Sequence, residues 1–231
     1  YRPLVGRILF DRIHDLDGDS LSGNYFQLFN SLRSRGYLLE EVNSSSGPIT
    51  PSMLSRYDAI ILPDIELGLS GQERAAIMDF VDNRTGCLFV LAEEPTGFNA
   101  TSINQLLSGF QIQCGTGCLE GVVTDFVTPH PVTDHVESLV YNKGANLTCI
   151  PPSYTAATIL GQPVVCVRNL TTRGKVVVVG DSDFAANQYL DINELQFVSN
   201  VLDWSGDRPT RPIRVDIAID EVNLPIFEAG M

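Results

Sequence analysis

The chain has 231 residues, of which 44% are hydrophobic and 19% charged, and its formal net charge is −13. These values are typical of a globular protein with a substantial core and exclude a disordered chain. The net charge argues against nucleic acid as a partner, because phosphate binding needs basic patches. No apolar run reaches the roughly 18 residues that predict a membrane span.

Four apolar runs predict buried β-strands, and carboxylates follow each run. The runs are Arg7–Phe10, Ala59–Leu62, Cys87–Ala92 and Lys175–Gly180. A mainly parallel α/β sheet binds its ligands outside the carboxyl ends of its strands. If the four strands are parallel neighbours, the acids that follow them lie along one edge of the sheet, which we call the acidic rim. Its predicted members are Asp11, Asp64, Glu66, Glu93 and Glu94.

Helices are predicted between these strands. Apolar residues with i, i+3, i+4, i+7 spacing predict an amphipathic helix over Gly23–Arg35. Tyr37–Val42 is predicted to form a second strand. Ser70 and Glu73 have the spacing of a capping box, which predicts the start of another helix. A shorter helix is predicted over Thr101–Ser108, capped by one of its first two residues. This alternation predicts a three-layer α/β fold of flavodoxin-like type with a mainly parallel sheet.

The pattern changes in the second half of the chain. Residues 110–170 have short strand signals and many Gly, Pro and Thr residues, which predict a β-rich insertion. Asp191 and Glu194 then cap a last predicted helix. We expect residues 1–205 to form one domain and residues 206–231 to form a linker and a C-terminal strand. In this tail, Ile213–Val222 alternates apolar and polar residues, and such a strand can pair with a sheet edge of its own or a second molecule.

The five cysteines bear on the compartment of the protein. Cys114 and Cys118 enclose Gly-Thr-Gly, which is the spacing of a short disulfide loop, and Cys149 and Cys166 flank a predicted hairpin and can pair. Cys87 lies inside a predicted strand and would remain a buried thiol. This pattern favours an oxidising, extracellular or cell-surface location. Reduced thiols in the cytosol, with or without a metal, are the alternative.

Five N-x-[ST] sequons are candidate glycosylation sites, and several fall at predicted turns. Such triplets also arise by chance. The acceptor residues are Asn43, Asn83, Asn99, Asn146 and Asn169. The sequence begins at Tyr1, without an initiator Met or a signal peptide, which we interpret as a fragment or a mature segment of a longer precursor.

An alternating run of acids suggests a calcium site. Asp15, Asp17 and Asp19 resemble the start of a calcium loop, in which acids converge on a hard cation. The EF-hand pattern stops there, because Ser and Phe occupy its glycine and closing glutamate positions. A different calcium geometry that includes Asp181 and Asp183 is one hypothesis. The alternative is a polar turn that caps the next helix. No other cofactor is predicted.

The turn after Cys87–Ala92 argues against acyl-transfer catalysis. In hydrolases and amidotransferases built on such sheets, a strand-to-helix elbow presents a Ser or Cys nucleophile between glycines. Here the corresponding sequence is Ala-Glu-Glu-Pro. A different chemistry would place Glu93 or Glu94 opposite Asp181 or Asp183 as the paired carboxylates of a glycoside hydrolase. Strand-end acids also serve as helix caps, which is the structural alternative.

The three histidines give no zinc motif. His130 and His135 are five residues apart across a proline turn, whereas a helical zinc motif uses i, i+4 spacing. His14 stands beside the acidic rim, where it is either a ligand or general base, or a hydrogen-bonded turn residue.

Three segments resemble the non-catalytic relatives of class I glutamine amidotransferases, a group that includes domains of intraflagellar-transport and gliding-motility proteins. The segments are R-I-L-F-D at Arg7–Asp11, T-P-H-P-V-T-D-H at Thr128–His135 and V-V-V-G-D-S-D-F at Val177–Phe184. The resemblance spans roughly Arg7–Trp204. It implies an amidotransferase-like α/β fold without the catalytic residues.

A narrower resemblance is to the region after the protease domain in site-one-type subtilisin relatives. It rests on the helix at Tyr25–Leu32 and the acids before it, on Leu-Arg-Ser-x-Gly-Tyr at Leu32–Tyr37, and on the tail segment Val215–Pro225. This resemblance implies a secreted accessory region of a subtilase-like precursor. The chain carries no Asp/His/Ser protease motif, so proteolytic activity would belong to another part of such a precursor.

These observations lead to one main functional hypothesis and two alternatives. The main hypothesis is a non-catalytic extracellular module that contributes structure and protein contacts, with self-association through its C-terminal strand. The first alternative is a calcium- or carbohydrate-binding module that uses the acidic rim. The second is a hydrolase that uses paired carboxylates.

Overall fold

The structure is a computed structural model that describes residues 4–16, 18–127 and 129–206. Its strands are β1 (Gly6–Arg12), β2 (Tyr37–Asn43), β3 (Ala59–Pro63), β4 (Cys87–Leu91), β5 (Ile112–Val123), β6 (Leu139–Cys149), β7 (Tyr154–Ile159), β8 (Gln162–Asn169) and β9 (Lys175–Val179). Its α-helices are α1 (Phe26–Ser34), α2 (Pro51–Leu54), α3 (Gly71–Arg84), α4 (Ala100–Leu107) and α5 (Ile192–Ser205). The predicted tail strand Ile213–Val222 lies outside the described residues. Among the described helices, none has the length and apolar character to cross a membrane.

The main sheet has seven strands in the order β2-β1-β3-β4-β9-β8-β7. The first five run parallel to one another, and β8 and β7 continue the sheet antiparallel. The order of the five parallel strands is that of flavodoxin-like doubly wound sheets. The four strands predicted to precede the acidic rim, β1, β3, β4 and β9, are consecutive parallel neighbours, as expected.

Helices cover both faces of the sheet, which confirms the predicted three layers. In β1, Ile8 and Phe10 point to the core beneath α1 and α5, and Leu9 points to the core beneath α2, α3 and α4. Strands β3, β4 and β9 are buried along their whole length. Their continuous apolar sequences follow from this double coverage, since a parallel strand meets helices on both faces.

The predicted β-rich insertion divides into two parts. Strands β5 and β6 form a separate two-stranded antiparallel sheet, whereas β7 and β8 extend the main sheet. The separate sheet crosses the carboxyl end of β9, where the backbone N–H of Ala145 donates to the Gly180 carbonyl at 2.6 Å. A Cβ on Gly144 would lie 2.5 Å from the same carbonyl oxygen, so this close crossing requires glycine.

Two predicted helix starts differ from the structure. Helix α1 begins at Phe26 and not at Gly23, because the preceding residues form turns. Helix α4 begins at Ala100, and Asn99 is its N-cap, with its side chain accepting from the Ser102 N–H at 3.0 Å. The capping box of Ser70 at the start of α3 is present as predicted.

One of the two predicted disulfides forms. Cys149 of β6 is bonded to Cys166 of β8, as predicted. Cys114 and Cys118 are free, which corrects the prediction of a bridge between them. Both belong to β5, where Cys114 is buried and Cys118 is exposed, so their side chains face different surroundings and cannot bond. Cys87 is a buried thiol, as expected, and burial raises its pKa to about 12.

Candidate functional site

The carboxyl ends of β3, β4 and β9 are level with one another. Leu91, the last residue of β4, pairs with both Pro63 of β3 and Val179 of β9. One or two residues beyond these positions, each strand reaches an acidic residue. These acidic residues are Asp64, Glu93 and Asp181.

Carboxylates meet at this edge of the sheet. One oxygen each of Glu93, Asp181 and Asp183 lies within 4.8 Å of the others. Asp181 has no exposed surface, and Glu93 and Asp183 are half-buried. Together with Asp64, described below, these three residues are called the carboxylate cluster.

Hydrogen bonds fix the orientation of three members of the carboxylate cluster. The backbone N–H of Asn142 donates to Asp181 at 2.7 Å, and the Asn142 side-chain amide donates to Asp183 at 2.7 Å. The Asp183 N–H donates to the other oxygen of Asp181 at 3.0 Å. The Ser182 hydroxyl donates to Glu93 at 2.5 Å. Asn142 belongs to β6, so the two-stranded sheet also helps to position these acids.

Asp64 is the fourth member, and one of its oxygens lacks a partner. The residue is 8% exposed, and its buried Oδ1 has no hydrogen-bond partner among the described residues. Burial raises the pKa of Asp64 to about 8, and the negative charge of Glu93 is the next cause. The charges of Glu66, Asp19 and Asp15 act in the same direction. The Asp64 N–H donates to the Leu91 carbonyl at 2.9 Å, so Asp64 lies beside the end of β4 at the same edge of the sheet.

Burial also changes the ionisation of two further members of the carboxylate cluster, Asp181 and Glu93. Burial raises the pKa of Asp181 to about 8; the hydrogen bond from Asn142 lowers it, and the charges of Glu93 and Asp183 raise it further. Burial likewise raises the pKa of Glu93, against the effect of the Ser182 hydrogen bond. Buried carboxylates with like-charged neighbours hold their negative charge at a cost in free energy.

Tyr25 places a phenol beside the carboxylate cluster. Its ring is fully buried, and its hydroxyl donates to the Ser182 carbonyl at 3.4 Å. Burial is the main cause that raises the pKa of Tyr25 well above 10. The negative charge of Asp19 is the next cause that raises it, and the charges of Asp64 and Asp183 act in the same direction. The Tyr25 phenol is therefore close to acids from β3 and β9.

A second group of acids, at the end of β1, is organised around a histidine. His14 Nδ1 lies 2.8 Å from Asp11 Oδ2, and His14 Nε2 lies 3.3 Å from Glu73 Oε1. All three residues are buried. Burial lowers the pKa of His14, but the hydrogen bonds and charges of Asp11 and Glu73 outweigh burial and raise it overall. We call these three residues the His14 cluster.

Other predicted site residues have hydrogen-bond partners outside the carboxylate cluster. Asp15 accepts from the Gly18 N–H at 3.1 Å and lies 3.9 Å from the Arg12 guanidinium. Asp19 accepts from the Asn24 side chain, and Glu66 accepts from the Leu16 N–H. Asp17 lies outside the described residues. Of the predicted metal ligands, the structure groups Asp181 and Asp183, and it adds Glu93 and Asp64 from the acidic rim.

The two remaining histidines and Glu94 have other surroundings. His130 packs against Trp204 and Tyr154, with ring centroids 4.7 and 5.3 Å away. Burial lowers the pKa of His130 to about 4, and the charge of Lys175 acts in the same direction. His135 is exposed beside Asp134. Glu94 is half-buried, and its N–H donates to Glu93 at 2.9 Å.

The predicted glycan acceptors differ in accessibility. Asn43, Asn83 and Asn169 are exposed, at the end of β2, near the end of α3 and at the end of β8. Asn99 and Asn146 are partly buried, and each side chain accepts a backbone hydrogen bond. The exposed positions are the more accessible acceptors.

Comparison with known protein sequences identifies a relative of this chain. No family model matches the chain. Among curated proteins, the chain is similar to a subtilisin-like protease, SBT6.1, of Arabidopsis thaliana, with 24% identity over 295 residues. The match covers 96% of this chain and 27% of that protein, so the chain spans about a quarter of the length of this relative.

Solved structures with low sequence identity share the architecture. The mmIFT52 N-terminal domain superposes with a TM-score of 0.74 at 20% identity, covering 90% of this chain and 100% of that one. A cytoplasmic protein of Salmonella typhimurium gives 0.64 at 20% identity, covering 85% and 98%. A glutamine amidotransferase of Thermotoga maritima gives 0.51 at 11% identity, covering 84% and 80%. The chain has a class I glutamine amidotransferase-like fold.

In this amidotransferase-like fold, the turn after β4 is the expected position of a nucleophile. The Ala92 N–H donates to the Val179 carbonyl at 2.8 Å, so the sheet continues one residue beyond β4. The next side chain is Glu93, which joins the carboxylate cluster. The structure thus places an acid, and neither a thiol nor a hydroxyl, at the elbow.

Several contributors to the site were not predicted from the sequence. Asn142 contacts both Asp181 and Asp183 from a strand about 40 residues away in the chain. Tyr25 was predicted as a core residue of a helix, and it packs in the core while its hydroxyl reaches Ser182. No local motif marks Asn142. Its role depends on β6 crossing the end of β9.

Proposed function

We propose that this chain is a non-catalytic accessory module of a subtilisin-like precursor, exported to the cell surface or the extracellular space. The observation that carries the proposal is the likeness to SBT6.1, which extends over 96% of the chain but only 27% of that protease. A module that occupies about a quarter of a protease-containing protein, and has its own α/β core, fits an accessory region.

The chemistry of the amidotransferase-like edge supports a non-catalytic role. Glu93 occupies the elbow position, and its carboxylate accepts from Ser182. His14 contacts Asp11 and Glu73, His130 packs against aromatic rings, and His135 is exposed beside Asp134.

The Cys149–Cys166 disulfide supports export. It joins β6 of the two-stranded sheet to β8 of the main sheet, and disulfides of this kind persist in oxidising compartments. The exposed sequon at Asn169 is consistent with the same location, as are those at Asn43 and Asn83.

The proposal is tested first on the gene. Extending the transcript upstream of the codon for Tyr1 is expected to reveal a protease domain with Asp, His and Ser catalytic residues. A complete reading frame without such a domain, or glutaminase activity of the purified chain, would contradict the proposal.

A second test follows the cysteines in secreted protein. Thiol labelling of the denatured, unreduced chain is expected to modify three of the five cysteines, since two form the disulfide. Replacing Cys149 and Cys166 by Ser should reduce the secreted yield, whereas Cys118→Ser, at an exposed free thiol, is the matched control and should not. Labelling of all five cysteines would argue for a reducing compartment.

We also propose that the tail segment Ile213–Val222 pairs with a sheet edge. The main sheet ends in β2 on one side and β7 on the other, and an edge strand offers unpaired backbone groups. A chain truncated after Gly206 should then show a lower Tm or a changed oligomeric state. An unchanged melting curve and unchanged mass in light scattering would rule out this docking.

A further inference from the structure

We propose that the carboxylate cluster of Asp64, Glu93, Asp181 and Asp183 is a divalent-cation site that prefers calcium. The inference goes beyond the accessory role, because the site is defined by its own side chains and does not require any particular precursor.

The unpartnered oxygen of Asp64 is the first observation that points to a ligand. Only 8% of the surface of Asp64 is exposed, and its Oδ1 has no hydrogen-bond partner among the described residues. A buried polar atom without a partner costs free energy, so native structures nearly always supply one. The Asp64 N–H donates to the Leu91 carbonyl at 2.9 Å, two residues before Glu93 in the chain. The unpaired oxygen therefore belongs to a residue that is hydrogen-bonded to the end of β4, the strand that leads into Glu93.

The balance of charge is the second observation. Within the described residues, no Lys, Arg or His nitrogen lies within 4.0 Å of the four carboxylates. The hydrogen bonds from Asn142 and Ser182 orient the acids but bring no positive charge. Buried charges are normally paired or bound to a metal. A bound cation would supply the missing positive charge and a partner for Asp64.

The chemical nature of the ligand atoms indicates which type of cation the cluster would bind. All four side chains offer carboxylate oxygens, which suit hard cations and not the softer zinc or copper ions. The closest oxygens of Glu93, Asp181 and Asp183 lie within 4.8 Å of one another, a separation that one ion can bridge. Calcium accepts six to eight oxygens in irregular geometry, whereas magnesium demands a near-ideal octahedron with several waters. Four carboxylates from three strand ends fit calcium better.

The hydrogen bonds leave lone pairs on the carboxylate oxygens available to coordinate an ion. Each carboxylate oxygen has two lone pairs, and the bonds from Asn142 and Asp183 use one on each Asp181 oxygen. Glu93 and Asp183 are only half-buried, so an ion can reach the cluster from solvent. Asn142 and Ser182 would then act as positioning residues that hold the ligands in place.

Calorimetry and thermal unfolding of the whole chain test the proposal. After dialysis against a chelator and then chelator-free buffer, calcium chloride should give saturable heat near one ion per chain. The Tm should rise by about 5–10 °C at calcium concentrations near one hundred times Kd, given the size of the domain. Magnesium chloride should give a smaller rise. No heat and no change in Tm with calcium would overturn the proposal.

Isosteric variants separate this site from any other. Asp64→Asn and Asp183→Asn should each abolish or greatly reduce the calcium-dependent rise in Tm, because each removes a charged ligand with little change in shape. Glu137→Gln, at an exposed position outside the cluster, is the control and should keep the full response. A full response in both Asn variants would place the ion elsewhere and overturn the assignment.

Terbium provides a readout that does not depend on stability. Terbium replaces calcium at oxygen sites, and a tyrosine close to the ion sensitises its emission. The Tyr25 hydroxyl donates at 3.4 Å to the carbonyl of Ser182, which lies between Asp181 and Asp183 in the chain, so excitation of tyrosine should produce terbium emission that calcium suppresses by competition. Tyr25→Phe should lower this emission, while Tyr57→Phe, which lies before the amino end of β3 and so at the opposite edge of the sheet, should leave it nearly unchanged. Equal emission from both variants would argue against binding at this cluster.

Discussion

Two groups of buried acids lie at the same edge of one sheet, and the side chains and backbone groups that contact their carboxylates are different. In the His14 cluster, at the end of β1, Asp11 and Glu73 flank an imidazole at 2.8 and 3.3 Å. In the carboxylate cluster, at the ends of β3, β4 and β9, the contacts are hydrogen bonds from amides and a hydroxyl. The fold supplies an imidazole, whose pKa is raised, to the first group, and we propose that the second takes its cation from solution.

The difference shows that a single fold can stabilise buried carboxylates in two ways. A protein can hold buried carboxylates with an internal base, in which case the group contributes to stability without a ligand. It can also leave the charge to a metal ion, in which case stability depends on the ion concentration. Variants that remove one charge from each group should therefore have opposite effects in metal-free buffer.

The largest effect is expected for Glu73→Ala. Glu73 accepts from the Ile49 N–H at 3.1 Å and the Ser70 N–H at 2.9 Å, in addition to its contact with His14. Removing it leaves a buried charge and a buried donor without this partner, so the free energy of unfolding should fall by about 3–5 kcal/mol. Urea unfolding at pH 6 measures the loss. Ser70→Ala removes only the helix cap and should cost about 1 kcal/mol; an equal loss in both variants would contradict the role of Glu73 in the His14 cluster.

A smaller effect of opposite sign is expected for Asp64→Asn in chelator-containing buffer. The substitution removes a buried acid whose pKa is raised to about 8 in the folded state, and with it the cost of burying and protonating that acid at pH 7, so the free energy of unfolding should rise by on the order of 1 kcal/mol. Asp11→Asn is the matched variant in the His14 cluster, where it should lower the free energy by about 2–3 kcal/mol because His14 loses a charged partner. Chemical denaturation of both variants at pH 7 measures the contrast. A loss of stability in Asp64→Asn as large as in Asp11→Asn would show that the two groups are not different.

The smallest effect is the pH dependence contributed by His14. Its pKa is raised in the folded state, so its stabilising contribution is fully present below about pH 6.5 and is lost as the pH rises through the folded pKa. The difference in unfolding free energy between the native chain and His14→Gln should therefore shrink as the pH rises from 6 through the folded pKa. His135→Gln, at an exposed position, is the control. A difference that is constant with pH, or grows as pH rises, would refute the charged His14.

The sequence predicted the sheet better than it predicted the contacts at its edge. The runs Arg7–Phe10 and Ala59–Leu62 were recognised as strands because a strand covered on both faces needs consecutive apolar residues. The capping box at Ser70 was also predicted correctly, since it depends on residues three apart. The bridge between Cys114 and Cys118 was predicted wrongly, because the short spacing resembles a loop while both residues belong to β5.

The sequence by itself determined that acids would follow the buried strands of a mainly parallel α/β sheet. These properties depend on local patterns of apolar and acidic residues. Only the tertiary structure decided which acids meet. Glu93 lies with Asp181 because β4 pairs with β9, and Asn142 reaches both aspartates of that turn because β6 crosses the end of β9. Glu73 reaches His14 because α3 begins next to the end of β1. Such contacts join residues far apart in the chain, so they depend on strand order and loop path, which no local pattern encodes.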